Sequence, residues 1–183
     1  MPISMARQPT NCDDMDRNIQ HSVAFSGHRK IPASGIDRLR RQLRSAILRL
    51  YDAGCVDYIS GMAVGFDLLA AEAVLELRGE GKELRLMAAI PCPGQSRFYS
   101  VGDKARYWRM LSEADRIVTV SKSYYRGCML RRNDYMIANA GQLIAYYDGS
   151  HSGGTAYTVS RAKAAGRPVT NLYGGVDKSQ FRK

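Results

Sequence analysis

At 183 residues the chain is long enough for one well-cored α/β domain and too short for two of ordinary size. Its 45% hydrophobic and 24% charged residues are those of a soluble globular protein, and no apolar run approaches the roughly 18 residues of a membrane span, so a cytoplasmic protein without a membrane partner is expected. A net charge of +10, from 27 Lys and Arg against 17 Asp and Glu, points to anionic partners by long-range electrostatics.

Residues 1–20 carry no apolar period and no signal-peptide core, which predicts a disordered arm. The first strand is expected over His21 to Ser26, running into Gly27-His28-Arg29-Lys30. Ile36, Leu39, Leu43, Ala46, Ile47 and Leu50 then recur at spacings of three, four and seven, the stripe of an amphipathic helix that ends near Gly54. Arg38, Arg40, Arg41, Arg44 and Arg49 lie mostly off that stripe, as a basic face.

Val56 to Ser60 reads as a second strand and Asp67 to Arg78 as a second helix, closed by Gly79 and Gly81. Leu84 to Ile90 is a third strand, stopped by Pro91-Cys92-Pro93-Gly94, where proline forbids further ladder pairing. A helix over Gly102 to Ala114 would turn Ala105, Trp108 and Leu111 inward, and Arg116 to Val120 makes a fourth strand. Cys128 to Ala140 forms a helix whose face of Met129, Met136, Ile137 and Ala140 also takes in Asn133. Leu143 to Tyr147 is the fifth strand, Thr155 to Ala165 a small-residue helix stopped by Gly166, and Val169 to Leu172 a short sixth strand before a polar tail over 174–183. Strand and helix alternating six times argue for a single Rossmann-like domain, a doubly wound and mostly parallel sheet of about six strands.

Sheets of this type hold ligands where strand carboxyl ends meet helix amino ends. Two glycine turns fall there: Ser60-Gly61-Met62-Ala63-Val64-Gly65-Phe66-Asp67 and Ser152-Gly153-Gly154-Thr155. Glycine lets backbone approach a ligand, and amides at a helix start favour phosphate. Neither turn is a Walker motif, and no Gly-x-Gly-x-x-Gly follows the first strand, which disfavours a kinase or an ordinary NAD dehydrogenase. Ser26, Gly27 and Arg29 form a third ligand-facing loop, and Arg29 and Arg132 are each able to make a bidentate phosphate contact. Asp67 is a ribose acceptor or a helix cap, Thr155 a cap or a phosphate donor, Glu72 a site or solvent residue, and His28 an acid or base without an identified carboxylate partner. Cys12, Cys55, Cys92 and Cys128 show neither zinc nor disulfide spacing, and no metal site or required cofactor is expected.

Phe25 to Arg29, Ile59 to Asp67 with Ala70-Ala71-Glu72-Ala73, and Arg132-Asn133 leading to Gly153-Gly154-Thr155 together resemble the SLOG superfamily, nearest its YpsA-like (DUF1273) group. The resemblance spans roughly His21 to Leu172. It implies a Rossmann-like domain that binds nucleotides or nucleotide-derived ligands, in a superfamily that also holds DprA and the LOG phosphoribohydrolases. The phosphoribohydrolase helix motif Met-x-x-Arg-Lys-x-x-Met is matched by Met129, Arg132 and Met136, with Asn133 in place of the lysine. Its next motif, Gly-Gly-x-Gly-Thr-x-x-Glu, lacks the x-Gly here, and Thr158 stands where the hydrolytic glutamate would be. The DprA pattern Ser-Gly-x-Ala-x-Gly-x-Asp is matched by Ser60, Gly61, Ala63, Gly65 and Asp67.

The reading is a nucleotide or ADP-ribose-like ligand with phosphates on Gly61 to Gly65 and Gly153 to Thr155. Arg29 and Arg132 would supply the counter-charges. Ser26, Gly27, Ser60, Asp67, Asn133 and Ser152 complete the site. The alternatives are an N-glycosidase of the phosphoribohydrolase type, with catalytic residues unassigned, and DprA-like binding of single-stranded DNA, for which Tyr124, Tyr125 and Tyr135 are the available stacking rings. A homo-oligomer is expected from the resemblance.

Overall fold

A computed structural model describes residues 19–174. The arm and polar tail expected at the two ends therefore lie, but for residues 19, 20 and 174, outside the described residues. Cys12 lies outside them as well.

The chain runs β1 (Ser22–Gly27), a 3-10 turn (Ala33–Gly35), α1 (Ile36–Asp52), β2 (Asp57–Ser60), α2 (Phe66–Gly79) and β3 (Arg85–Ile90). It continues through α3 (Val101–Glu113), β4 (Arg116–Thr119), α4 (Cys128–Ala138), β5 (Gln142–Tyr146), α5 (Gly154–Ala164) and β6 (Val169–Asn171). All six strands pair in parallel, in the order β4-β3-β2-β1-β5-β6. The expected doubly wound α/β sheet is thus present, element by element.

Parallel strands must be covered on both faces, because each crossover lays a helix on the sheet. Walking outward from β1 to β4, right-handed crossovers put α1, α2 and α3 on one face; the return to β5 and on to β6 puts α4 and α5 on the other. The alternation along β1 follows: Val23 and Phe25 join the core under α1 to α3, while Ala24 joins the core under α4 and α5. Between α1 and α3, α2 is buried nearly all round, and Ala70, Ala71 and Ala73 let it approach the sheet. By contrast α1 buries only Leu39, Leu43, Ala46, Ile47 and Leu50, as its apolar period predicts.

One inward face differs from the expectation. On α3 it is Tyr107, Met110 and Leu111 that are buried, whereas Ala105 and Trp108 lie exposed. Tyr107, Met110 and Leu111 sit at spacings of three and four, which is one face of a helix, and Trp108 lies about 100° round from Tyr107. No helix among the described residues is long and apolar enough to cross a membrane.

Candidate functional site

The strand order reverses between β1 and β5, since the chain leaves β1 for β2 on one side and later brings β5 to the other. That reversal makes the carboxyl ends of the two strands the topological switch point, where open α/β sheets usually hold a ligand in a crevice. The loop after β1 (His28, Arg29), the first glycine turn after β2 and the second after β5 all reach that edge.

The first turn is tied into the protein from beneath. The Ser60 hydroxyl donates to the Asp67 carbonyl at 2.9 Å and accepts from the Met62 amide at 3.1 Å, so this fully buried serine closes the turn. Gln95 donates to the Gly61 carbonyl at 2.9 Å and Tyr99 to the Met62 carbonyl at 3.1 Å. Met62 holds φ 59, an unfavourable left-handed conformation that these bonds over-determine. Gly65 (φ 83, ψ −122) is required twice, by its backbone angles and because a Cβ there would stand 2.3 Å from the Arg29 carbonyl oxygen. Gly27 is required by contact, since a Cβ would meet the Phe66 ring at 2.5 Å.

Arg132 lies directly under this turn rather than in the open crevice. Its guanidinium donates to the Gly61 carbonyl, to Ala89 O at 3.3 Å and to Asn133 Oδ1 at 2.8 Å. A Cβ on Gly61 would fall 2.3 Å from Arg132 Nη1 and 2.7 Å from Asp67 Oδ2, so this glycine makes room for the pair. Burial pushes the Asp67 carboxyl up to about 6; the Arg132 charge, the amides of Ala63 and Gly27 and the Arg29 charge pull the other way. Burial likewise lowers the Arg132 guanidinium against the opposing pull of Asp67. Asp67 is therefore no helix cap: the cap position is Gly65, and the carboxylate faces inward to Arg132 and to the amides of Gly27 and Ala63.

The second turn is open by comparison. Ser152, Gly153 and Gly154 are exposed, and Gly153 takes φ 101 and ψ 170, a region reserved for glycine. Thr155 is buried, and α5 has no side-chain cap, so its hydroxyl does not cap the helix. Thr158, in the position of the hydrolytic glutamate, is fully buried and donates to the Gly154 carbonyl at 2.8 Å. A hydroxyl spent on backbone replaces a carboxylate there.

Two residues join the turns. Asn133 accepts from Arg132 and donates to the Gly154 carbonyl at 3.4 Å, linking the floor of the first turn to the start of α5. His28 links the first turn to the exit of β5, on the loop that leads into the second: its carbonyl accepts from the Phe66 amide at 3.2 Å, its amide donates to Tyr146 O at 3.1 Å, and its Nε2 accepts from the Asp148 amide at 3.0 Å. The same Nε2 lies 2.9 Å from Asp148 Oδ1, so when protonated it pairs with this carboxylate, the partner that the sequence did not reveal, instead of accepting from the amide. The Ser150 amide and hydroxyl, and then His28, hold the Asp148 carboxyl below the usual range.

The Phe66 amide is thus occupied, but those of Val64, Gly65, Gly153 and Gly154 donate to no acceptor among the described residues. Arg29 is exposed and in no ion pair there, yet close enough for its charge to act on Asp67, Arg132 and Tyr99. Ser26 is buried at the end of β1 beneath this loop.

The remaining candidates fall elsewhere. Glu72 faces neither site nor solvent but Arg106 of α3, at 2.7 and 2.9 Å. Of the basic face on α1, Arg44 is engaged by Glu76 and Glu80 and Arg40 by Glu72. The shallow hollow lined by Arg41, Arg44, Ser45, Leu48, Arg49 and Asp52 lies on that helix, away from the crevice. Cys55, Cys92 and Cys128 are free and buried, and no group of three metal-ligating side chains occurs among the described residues.

Several known proteins resemble the chain. UPF0398 proteins of Bacillus thuringiensis (strain Al Hakam) and Bacillus cereus (strain B4264) are each 27% identical over 134 residues, covering 72% of this chain and 73% of theirs. Among solved structures, DNA processing protein A from Helicobacter pylori, which binds single-stranded DNA, superposes with a TM-score of 0.59 at 19% identity, over 93% of this chain and 74% of its own. The structural-genomics protein TM1055 superposes at 0.52, also at 19% identity, over 84% and 76%. These structural likenesses show the shared fold. The family model YpsA, described as the YspA SLOG family, matches residues 28–171, which take in both glycine turns, the His28–Asp148 pair and Arg132: the chain belongs to that family.

Proposed function

We propose that the crevice binds a nucleotide or nucleotide-derived ligand such as an ADP-ribose-like molecule, with its phosphates on the two glycine turns. One observation carries this reading: Asn133 bonds to the Gly154 carbonyl and to Arg132, which holds the Gly61 carbonyl, and His28 bonds to the Phe66 amide of the first turn and to Asp148 on the loop that leads into the second, so the unoccupied amides of Val64 and Gly65 and those of Gly153 and Gly154 belong to one connected unit. Amides at helix starts offer partial positive charge, and the exposed Arg29 adds a full one. Arg132 contributes from below, by fixing the Gly61 carbonyl and the carboxylate of Asp67. The Thr158 substitution supports recognition over glycosidic cleavage. Calorimetry against AMP, ADP-ribose and NAD tests the reading, with binding tighter than about 1 mM expected for at least one; no binding at that level, about 4 kcal/mol of affinity, overturns it.

A second reading, binding of single-stranded DNA, rests on a different surface. Between β4 and α4, Tyr124 (72% exposed) and Tyr125 stand among Lys122, Arg126 and Arg131, all exposed. Rings interleaved with cations suit stacked bases and a phosphate backbone. Tyr135 does not contribute, because it packs on the core under α4 and α5. The SLOG fold shared with DNA processing protein A adds to this reading.

A further inference from the structure

Beside the bridged turns, a series of aromatic rings rises out of the core. Phe25 meets Phe66 edge-on at 6.4 Å, Phe66 stacks on Tyr146 at 5.9 Å and 18°, and Tyr146 meets Tyr173 at 5.0 Å. Phe25 and Phe66 are completely buried, whereas Tyr173 leaves 46% of its surface open. His28 stands against the upper part of the series, 6.1 Å from Tyr146, 6.2 Å from Tyr147 and 6.2 Å from Tyr173.

The top of this series is held in place by a side chain with no other evident duty. Asn171 Oδ1 accepts from the Tyr147 amide at 3.0 Å and the Tyr173 amide at 3.2 Å, and its Nδ2 donates to the Tyr147 carbonyl at 2.8 Å. Asn171 thereby ties the exit of β6 to the exit of β5. Tyr147 also begins the loop that carries the second glycine turn, and its hydroxyl donates to the Ser150 carbonyl. The open ring and the open amides of Gly153 and Gly154 are thus set on one braced loop system, in which His28 meets both Tyr173 and Asp148.

Resting on the phosphate reading above, we infer that Tyr173, backed by Tyr146 and flanked by His28, is the stacking platform for the ligand's nucleobase. The class of ligand is therefore a mononucleotide or dinucleotide with an aromatic base, and not a sugar phosphate. A buried aromatic foundation fixes the ring before the ligand arrives, so little freedom is lost on binding. Stacking of a base on such a ring changes affinity by roughly fivefold to a hundredfold.

The experiment is calorimetry on the full chain with two probes, AMP and ribose 5-phosphate, on the wild type and on Tyr173→Leu and Tyr173→Phe. Leucine keeps apolar packing on Tyr146 but removes the ring face; phenylalanine keeps the ring. Circular dichroism and the melting temperature report whether each variant folds. AMP is expected to bind the wild type at least fivefold tighter than ribose 5-phosphate, with Tyr173→Leu losing that advantage and Tyr173→Phe keeping it. Equal binding of both probes by the wild type overturns the platform and leaves the phosphate reading standing. So does an AMP advantage that survives in folded Tyr173→Leu. If neither probe binds, the platform fails, and ADP-ribose and NAD then decide the phosphate reading. Should Tyr173→Leu not fold, the ratio of the two probes on the wild type and the retained advantage in Tyr173→Phe decide the matter.

Discussion

The two glycine turns look alike in the sequence and are built in opposite ways. The first is sealed: carbonyls of Gly61 and Met62 are taken by Arg132, Gln95 and Tyr99, and a buried Asp67–Arg132 pair fills the space left by the missing Gly61 side chain. The second is exposed, with free space around Gly153, and α5 starts directly after it. Glycine serves the first by its lack of volume and the second by its backbone angles. A phosphate shared between them would meet one rigid seat and one adjustable one, an arrangement that can position a ligand and still admit it.

The sharpest way to break this contrast is Arg132→Met. Removing the guanidinium takes the donor from the Gly61 and Ala89 carbonyls and from Asn133 Oδ1, and the nearby positive charge from Asp67, and a loss of roughly 3–5 kcal/mol of stability is expected by urea unfolding. A loss below about 1 kcal/mol would show that the first turn does not depend on its floor.

A smaller effect follows pH. Asp67 is raised from 3.8 to about 6 in the folded protein, so between those values the folded state holds more protons than the unfolded one. Stability from this group is present below about pH 4 and is lost as pH rises through 6, by on the order of 3 kcal/mol. Asp67→Asn cannot titrate and should lack that decline, seen as a flatter melting temperature from pH 4 to 7; matching profiles would contradict the assignment.

The smallest stability effect belongs to Gly153→Ala. The exposed loop can relax, so a cost of about 1 kcal/mol is expected, while AMP binding should weaken at least tenfold because the amides of the turn are re-aimed. A variant that binds as the wild type does would remove the second turn from the site.

What the sequence disclosed was local. Apolar runs and periods mark most helices and strands, small residues with a glycine stop mark α5, and glycines between strand and helix mark both turns, because those signals are written within a few positions. The partners were not so written. Arg132 reads as a phosphate cation until the Gly61 carbonyl, 71 positions away, is found on its guanidinium. His28 has no carboxylate near it in the sequence, and the fold brings it Asp148, 120 positions on. Trp108 was misplaced for a different reason: hydrophobicity outweighed the spacing of Tyr107, Met110 and Leu111, which alone would have identified the buried face. The aromatic series was hidden too, since its rings come from β1, α2, β5 and the exit of β6.

The placement of β5 against β1 has a consequence for how the protein is made. A ribosome releases β1 to β4 first, and they can zip outward with nearest neighbours in the chain, each step closing a modest loop. One edge of β1 meanwhile stays unpaired, a template awaiting a strand synthesised much later. Joining β5 to it is the longest-range pairing in the sheet and the costliest in chain entropy. That same event carries Asp148 to His28 and the second turn to the first, so the nascent chain acquires its crevice only when the sheet is completed from both sides.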